Sequence, residues 1–168
     1  CKFIWALLAL CWLTVAQAYS PPTTPTQLVI VDAEVTDPQL LIAGFGSETT
    51  VLQLQQSDTP ATLRQKLQHF RGLQAVHVFS HAKPGDIQLA GGQINSVTLS
   101  THRELIQQLG DSLQANGEIL WYGCDLAKGE QGGQLLDIIR SHTELDVAAS
   151  TNKTGNATAG GDWELEIQ

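Results

Sequence analysis

The sequence predicts an α/β fold: a mainly parallel sheet flanked by helices, with a small hairpin inserted. Three observations carry that expectation. Short, mostly apolar runs recur at Leu28–Val31, Ala75–Ser80 and Glu118–Tyr122, the first of them rich in β-branched residues, as in a strand buried on both faces. Between them lie segments whose apolar residues recur at helical spacing. Strand and helix signals alternate through most of the chain, which is the pattern of βαβ units.

The elements follow in order. Ser20–Gln27, rich in Pro and Thr, reads as a linker, with the domain running from 28 to 168. Leu28–Val31 is the first strand and ends at Asp32. Pro38 opens a short helix over Gln39–Ala43, closed by Gly44 and Gly46. Thr50–Leu54 is a second strand. Asp58-Thr59-Pro60 starts a helix carrying Leu63, Leu67 and Phe70, and Gly72 stops it. The strand Ala75–Ser80 leads to His81. Ala82-Lys83-Pro84-Gly85 reads as a loop, and Asp86–Leu89 with Gln93–Leu99 as a hairpin around Gly91-Gly92. Thr101-x-x-Glu104 fits a capping box opening a helix with Leu105, Ile106, Leu109 and Leu113 on one face. The strand Glu118–Tyr122, the helix Glu130–His142 and the strand Leu145–Ala149 follow. Ser150–Gly161 is a polar loop. The alternation of Trp163, Leu165 and Ile167 predicts a last strand over Asp162–Ile167.

Composition narrows the function classes. Of 168 residues, 42% are hydrophobic and 15% charged, which is globular rather than disordered. Nine basic against 17 acidic residues give a net charge of −8, without a basic cluster. Nucleic acid and anionic membrane surfaces are therefore not expected partners. The chain contains no Met, so Cys1 is not expected to be its natural start. Lys2, the apolar run Phe3–Leu13 and Ala16-Gln17-Ala18 describe a secretory signal peptide over 1–18, too short for a comfortable membrane span. An uncleaved anchor is the alternative; a lipoprotein through Cys11 is disfavoured by Leu10 before it. Secretion or the cell surface is the expected location, with a linker at 19–27 and no membrane span once the leader is removed. Cys1 and Cys11 leave with the leader, and Cys124 remains as the one Cys of the mature chain. A single Cys in a secreted protein points to an intermolecular bridge, a reactive thiol or a buried apolar residue.

Placement favours the thiol. In open α/β sheets ligands bind at the carboxyl ends of strands. Cys124 follows one apolar strand and His81 ends another, so a nucleophile and its base are drawn in outline. His77 reads as a core or sheet-face residue, His69 and His102 as surface residues, and His142 as a complement to a helix dipole. No Cys-x-x-Cys or His-x-x-x-His spacing supports a metal site, and no cofactor is expected.

The blocks AVHVFSHA and EILWYGCD resemble the pattern of caspase-like cysteine peptidases, among them caspases, gingipains, separases and CHAT domains. The blocks VHVFSHAKPGDIQLAG, LWYGCDLAKGEQG, DVAAST and GGDWELE are more narrowly similar to an uncharacterised bacterial domain found near the N-terminus of very large secreted, adhesin-like proteins. The resemblance covers roughly Gln27–Gln168. It implies a caspase-like sheet, Cys124 as nucleophile, His81 as base, and the backbone N–H groups of Ala82 and Cys124 as oxyanion donors. It implies Asp32 or Asp162 as a substrate-pocket acid, a peptide or protein substrate, and C-terminal repeat domains of the same chain as partners. Asp125 is expected to orient the turn. The pattern has Gly after the His, where this chain has Ala82; a Cβ there disfavours positive φ and crowds the oxyanion site. Two readings follow. One is a non-catalytic module or degenerate peptidase of a secreted surface protein. The other is an active cysteine peptidase using Cys124 and His81, processing its own parent chain.

Overall fold

A computed structural model describes residues 25–168. The expected leader over 1–18 and most of the linker lie outside the described residues. Among those described, five strands form one all-parallel sheet: β1 (Gln27–Val31), β2 (Thr49–Gln53), β3 (Leu73–Phe79), β7 (Leu113–Tyr122) and β8 (Asp146–Ala149). Three short strands, β4 (Ala82–Lys83), β5 (Asp86–Leu89) and β6 (Gly92–Asn95), form a separate antiparallel sheet directly after β3. The helices are α1 (Pro38–Ile42), α2 (Pro60–Leu67), α3 (Leu99–Ser112) and α4 (Gly129–Thr143). The expected α/β class, parallel sheet and inserted hairpin are all present.

The order in the large sheet is β2-β1-β3-β7-β8. The chain steps outward from β1 to β2, crosses back to β3, and then proceeds the other way. Right-handed crossovers put connections running in opposite directions on opposite faces. Accordingly α2, α3 and α4 cover one face, burying Leu63, Leu67, Ile106, Leu109, Leu135 and Ile139 against Leu28, Ile30, Val76, Val78, Ile119 and Trp121. The other face carries Val29, Val31 and Phe79, packed by Leu41, Ile42 and Phe45 from α1 and the segment after it.

Local chemistry sets the boundaries. Pro60 opens α2 behind Thr59, whose hydroxyl accepts from the Thr62 N–H, while the Thr62 hydroxyl accepts from the Thr59 N–H. Three expectations are corrected. The helix expected to open at the Thr101 capping box starts at Leu99, because the Asn95 side-chain oxygen accepts from the N–H groups of Val97 and Thr98 and begins the turn earlier. Part of the loop expected over 82–85 is strand: Ala82 and Lys83 pair with Ile87 and Asp86 around a Pro84-Gly85 turn, with Gly85 at φ 67°. Asp162–Ile167 is not a continuous strand. Only Ile167 pairs with β8, exchanging hydrogen bonds with Ala149 of 2.9 and 3.2 Å, because Asp162 turns the chain by accepting from the Glu164 N–H.

Candidate active site at the carboxyl edge of the sheet

The connections reverse direction between β1 and β3, and the carboxyl ends of those strands are where doubly wound sheets bind ligands. Three residues singled out in the sequence follow strands that end along this edge. Phe79 of β3 pairs with Val31 of β1 and with Tyr122 of β7. Asp32 thus stands one residue beyond its paired position, and His81 and Cys124 each two residues beyond theirs. His81 and Cys124 therefore each lie two residues past the last paired position of neighbouring parallel strands. The Ser80 N–H donates to the Tyr122 carbonyl at 3.3 Å, holding the two strand ends together beyond the ladder. Below them the fully buried Trp121 donates its indole N–H to the Ser80 hydroxyl at 3.0 Å.

His81 is exposed, and its Nε2 lies 3.2 Å from the Glu34 carbonyl oxygen. A carbonyl only accepts, so in the neutral ring this contact favours the tautomer with its proton on Nε2 and its lone pair on Nδ1. That is the protonation pattern a general base needs. Glu34 lies in a turn closed by the Val35 N–H donating to the Asp32 carbonyl at 3.1 Å.

Ala82 causes no backbone strain, since it is absent from the described non-glycine residues with positive φ. The Gln88 N–H donates to the His81 carbonyl at 2.9 Å, so alternation in the antiparallel ladder makes Ala82 and Ile87 a non-hydrogen-bonded pair. The Ala82 N–H then points away from β5. Gly123 is close by: a Cβ added there would lie 3.8 Å from the Ala82 nitrogen and only 2.7 Å from the Ala82 Cβ. The Cβ that departs from the Gly of the wider pattern is accommodated by the missing Cβ of Gly123. An amide N–H at Ala82 thus remains beside the Cys124 turn.

Cys124 is half-buried and forms no disulfide among the described residues. Its thiol donates to the Thr154 carbonyl at 3.6 Å, across the loop that follows β8. Asp125 adopts φ 56° in the turn. Its N–H donates to the Asn152 carbonyl at 2.6 Å, and its carboxylate pairs with Lys128 at 2.8 Å. The loop over 150–162 is fixed in turn by Asn152, whose amide donates to Asp162 at 3.1 Å and to Glu166 at 2.5 Å. Glu166 also accepts from the Thr151 N–H, which holds its carboxyl below the usual range.

The two acids expected to line a substrate pocket both accept hydrogen bonds from this chain. Asp32 is 5% exposed; its Oδ1 accepts from the Glu34 N–H at 3.1 Å and its Oδ2 from the Ala90 N–H at 2.7 Å. Asp162 accepts from Asn152 and from the Glu164 N–H. Each carboxylate serves a turn of this chain. Glu34 and Thr154 were invisible to sequence reasoning because they act through main-chain carbonyls. His77 lies on the sheet face as expected, between the rings of Phe45 at 4.8 Å and Tyr122 at 5.9 Å. Burial lowers its pKa, and its Nε2 is buried without a hydrogen-bond partner among the described residues. Among the described residues no three His, Cys, Asp or Glu side chains converge as metal ligands. A cleft of about 800 Å³ lined by Gly110, Asn116 and His142 opens at the amino ends of β7 and β8, at the other end of the sheet from Cys124.

The chain belongs to the family described as Domain of unknown function (DUF4347), whose model matches residues 28–168. No curated protein and no solved structure matches it.

Proposed function

We propose that this domain is a cysteine peptidase-type module of caspase-like architecture, with Cys124 as nucleophile and His81 as base. The observation that carries the reading is the state of His81. It follows β3 as Cys124 follows the neighbouring β7, and its Nε2 faces the Glu34 carbonyl, which leaves Nδ1 as the basic nitrogen of the neutral ring. The chemistry follows from these groups. Nδ1 takes the Cys124 proton, and the thiolate sulfur attacks a peptide carbonyl carbon. The oxyanion that forms accepts from the N–H groups of Ala82 and Cys124. The imidazolium then protonates the departing amine, leaving a thioester that water hydrolyses.

In the resting arrangement the thiol donates to Thr154 instead, so that contact must break before the thiol donates to His81. That contact is also the observation favouring the second reading, a non-catalytic module in which it is permanent. We place the domain in a secreted or surface protein, alongside further domains of the same chain. The leader-like Lys2, the Phe3–Leu13 run and Ala16-Gln17-Ala18 support this setting.

The test is covalent capture. The chain is incubated at neutral pH with a panel of peptidyl acyloxymethyl ketones differing in the residue beside the reactive carbonyl, and its intact mass is followed. The expected result is one adduct on Cys124, absent in Cys124→Ser and slowed about a hundredfold or more in His81→Ala. Labelling only after unfolding, or at an unchanged rate in His81→Ala, contradicts the proposal.

A further inference from the structure

We propose that Asp32 is a positioning residue for His81, acting through the Glu34 carbonyl; this rests on the dyad reading above. The chain of contacts is continuous. His81 Nε2 meets the Glu34 carbonyl at 3.2 Å. The Glu34 N–H donates to Asp32 Oδ1 at 3.1 Å, and the Val35 N–H donates to the Asp32 carbonyl at 3.1 Å. Asp32 itself is locked to the sheet, its own N–H donating to the Phe79 carbonyl at 2.9 Å. One residue thus joins the end of β3, which carries His81, to the turn that supplies the carbonyl.

The second carboxylate oxygen reaches the hairpin. The Ala90 N–H donates to it at 2.7 Å, and Ala90 sits at φ 51° in the β5–β6 turn. A non-glycine residue is held in the left-handed region only where its surroundings over-determine it. The His81 carbonyl is bound to the same hairpin through the Gln88 N–H. Asp32 therefore fixes both the partner of the imidazole and the hairpin bound to the histidine's own backbone. A carboxylate does this best, since both oxygens only accept and both contacts are backbone donors. Asn would present an NH₂ group to one of those donors, and Ala would leave both without their acceptor.

The test separates positioning from bulk stability. In the wild-type chain, long-range ¹H–¹⁵N correlation of the His81 ring gives its tautomer, and Cys124 alkylation is followed against pH. The expected result is an Nε2–H tautomer in the wild type. Asp32→Asn is expected to alkylate about tenfold more slowly at neutral pH with a higher midpoint, and Asp32→Ala to approach the His81→Ala profile. Asp32→Ala combined with His81→Ala is expected to be no slower than His81→Ala alone, because both act through one group. A role confined to stability would lower the melting temperature and leave the pH midpoint in place.

An Nδ1–H tautomer in the wild type overturns the proposal, as do folded Asp32 variants with a wild-type pH profile. Should neither variant fold, the wild-type tautomer decides. If His81→Ala leaves the profile unchanged, the dyad itself fails. If His81→Ala shifts the profile and the folded Asp32 variants do not, the clamp alone fails.

Discussion

The two faces of the parallel sheet are built differently. One is aliphatic apart from the buried Trp121 and lies under three helices, with Leu135, Leu136 and Ile139 of α4 and Leu105, Ile106 and Leu109 of α3 at or near full burial. The other is aromatic and half-open. His77, Phe79 and Tyr122 stack along it, Trp163 packs edge-on at the rim while 48% exposed, and α1 contributes no fully buried residue. The cause is topological: a single outward crossover serves the second face and three serve the first. Stability is therefore concentrated behind the sheet. The carboxyl edge, where His81 and Cys124 stand, borders the thinner side.

The largest expected effect tests this asymmetry. Leu136→Ala should cost about 2–5 kcal/mol, since a fully buried Leu leaves a cavity among packed helices. Leu41→Ala, at a half-buried position on the thin face, should cost about 1 kcal/mol. Denaturant unfolding of the two variants checks the difference, and equal costs would break the comparison.

Next comes the edge between the faces. Gly123→Ala places a Cβ 2.7 Å from that of Ala82 and should cost about 1–3 kcal/mol. Combining it with Ala82→Gly should recover most of the loss. If it does not, the close approach of these two turns is not what requires glycine at 123.

The smallest effect belongs to His77. Burial lowers its folded pKa below 6.5, so it stays neutral in the folded chain while the unfolded chain takes up a proton. Its contribution is complete above pH 6.5, declines as pH falls through the window down to the folded pKa, and stays lost below it. Unfolding free energies measured from pH 7.5 downward should show that decline, and His77→Phe should flatten it. The lowered carboxyls of Asp58 and Glu166 act in a separate, more acidic window; their stabilisation is present above their ordinary pKa values and lost as pH falls through the lowered ones.

The strands were legible because a strand buried on both faces must be apolar at successive positions, as in Leu28-Val29-Ile30-Val31. His81 and Cys124 were legible for the same reason: each is a reactive side chain just past such a run. What each polar group faces was not legible. Asp32 carries the right charge at the right edge for a pocket acid. Its orientation is decided by the Ala90 N–H, 58 residues away in sequence. The Trp163-Leu165-Ile167 alternation has strand period, yet Asp162 and the packing of Trp163 on Phe79 and Tyr122 redirect it. The Glu34 and Thr154 carbonyls leave no mark in a sequence, because every residue has a carbonyl.

The most direct test of the dyad is the rate of Cys124 alkylation against pH in the native chain and in His81→Ala. A free thiol titrates near pH 8.5. If His81 acts on Cys124, the native midpoint lies well below that value and moves up in His81→Ala. If Cys124 stays inert until the chain unfolds, or both proteins give the same midpoint, the two residues do not communicate and the domain is a scaffold.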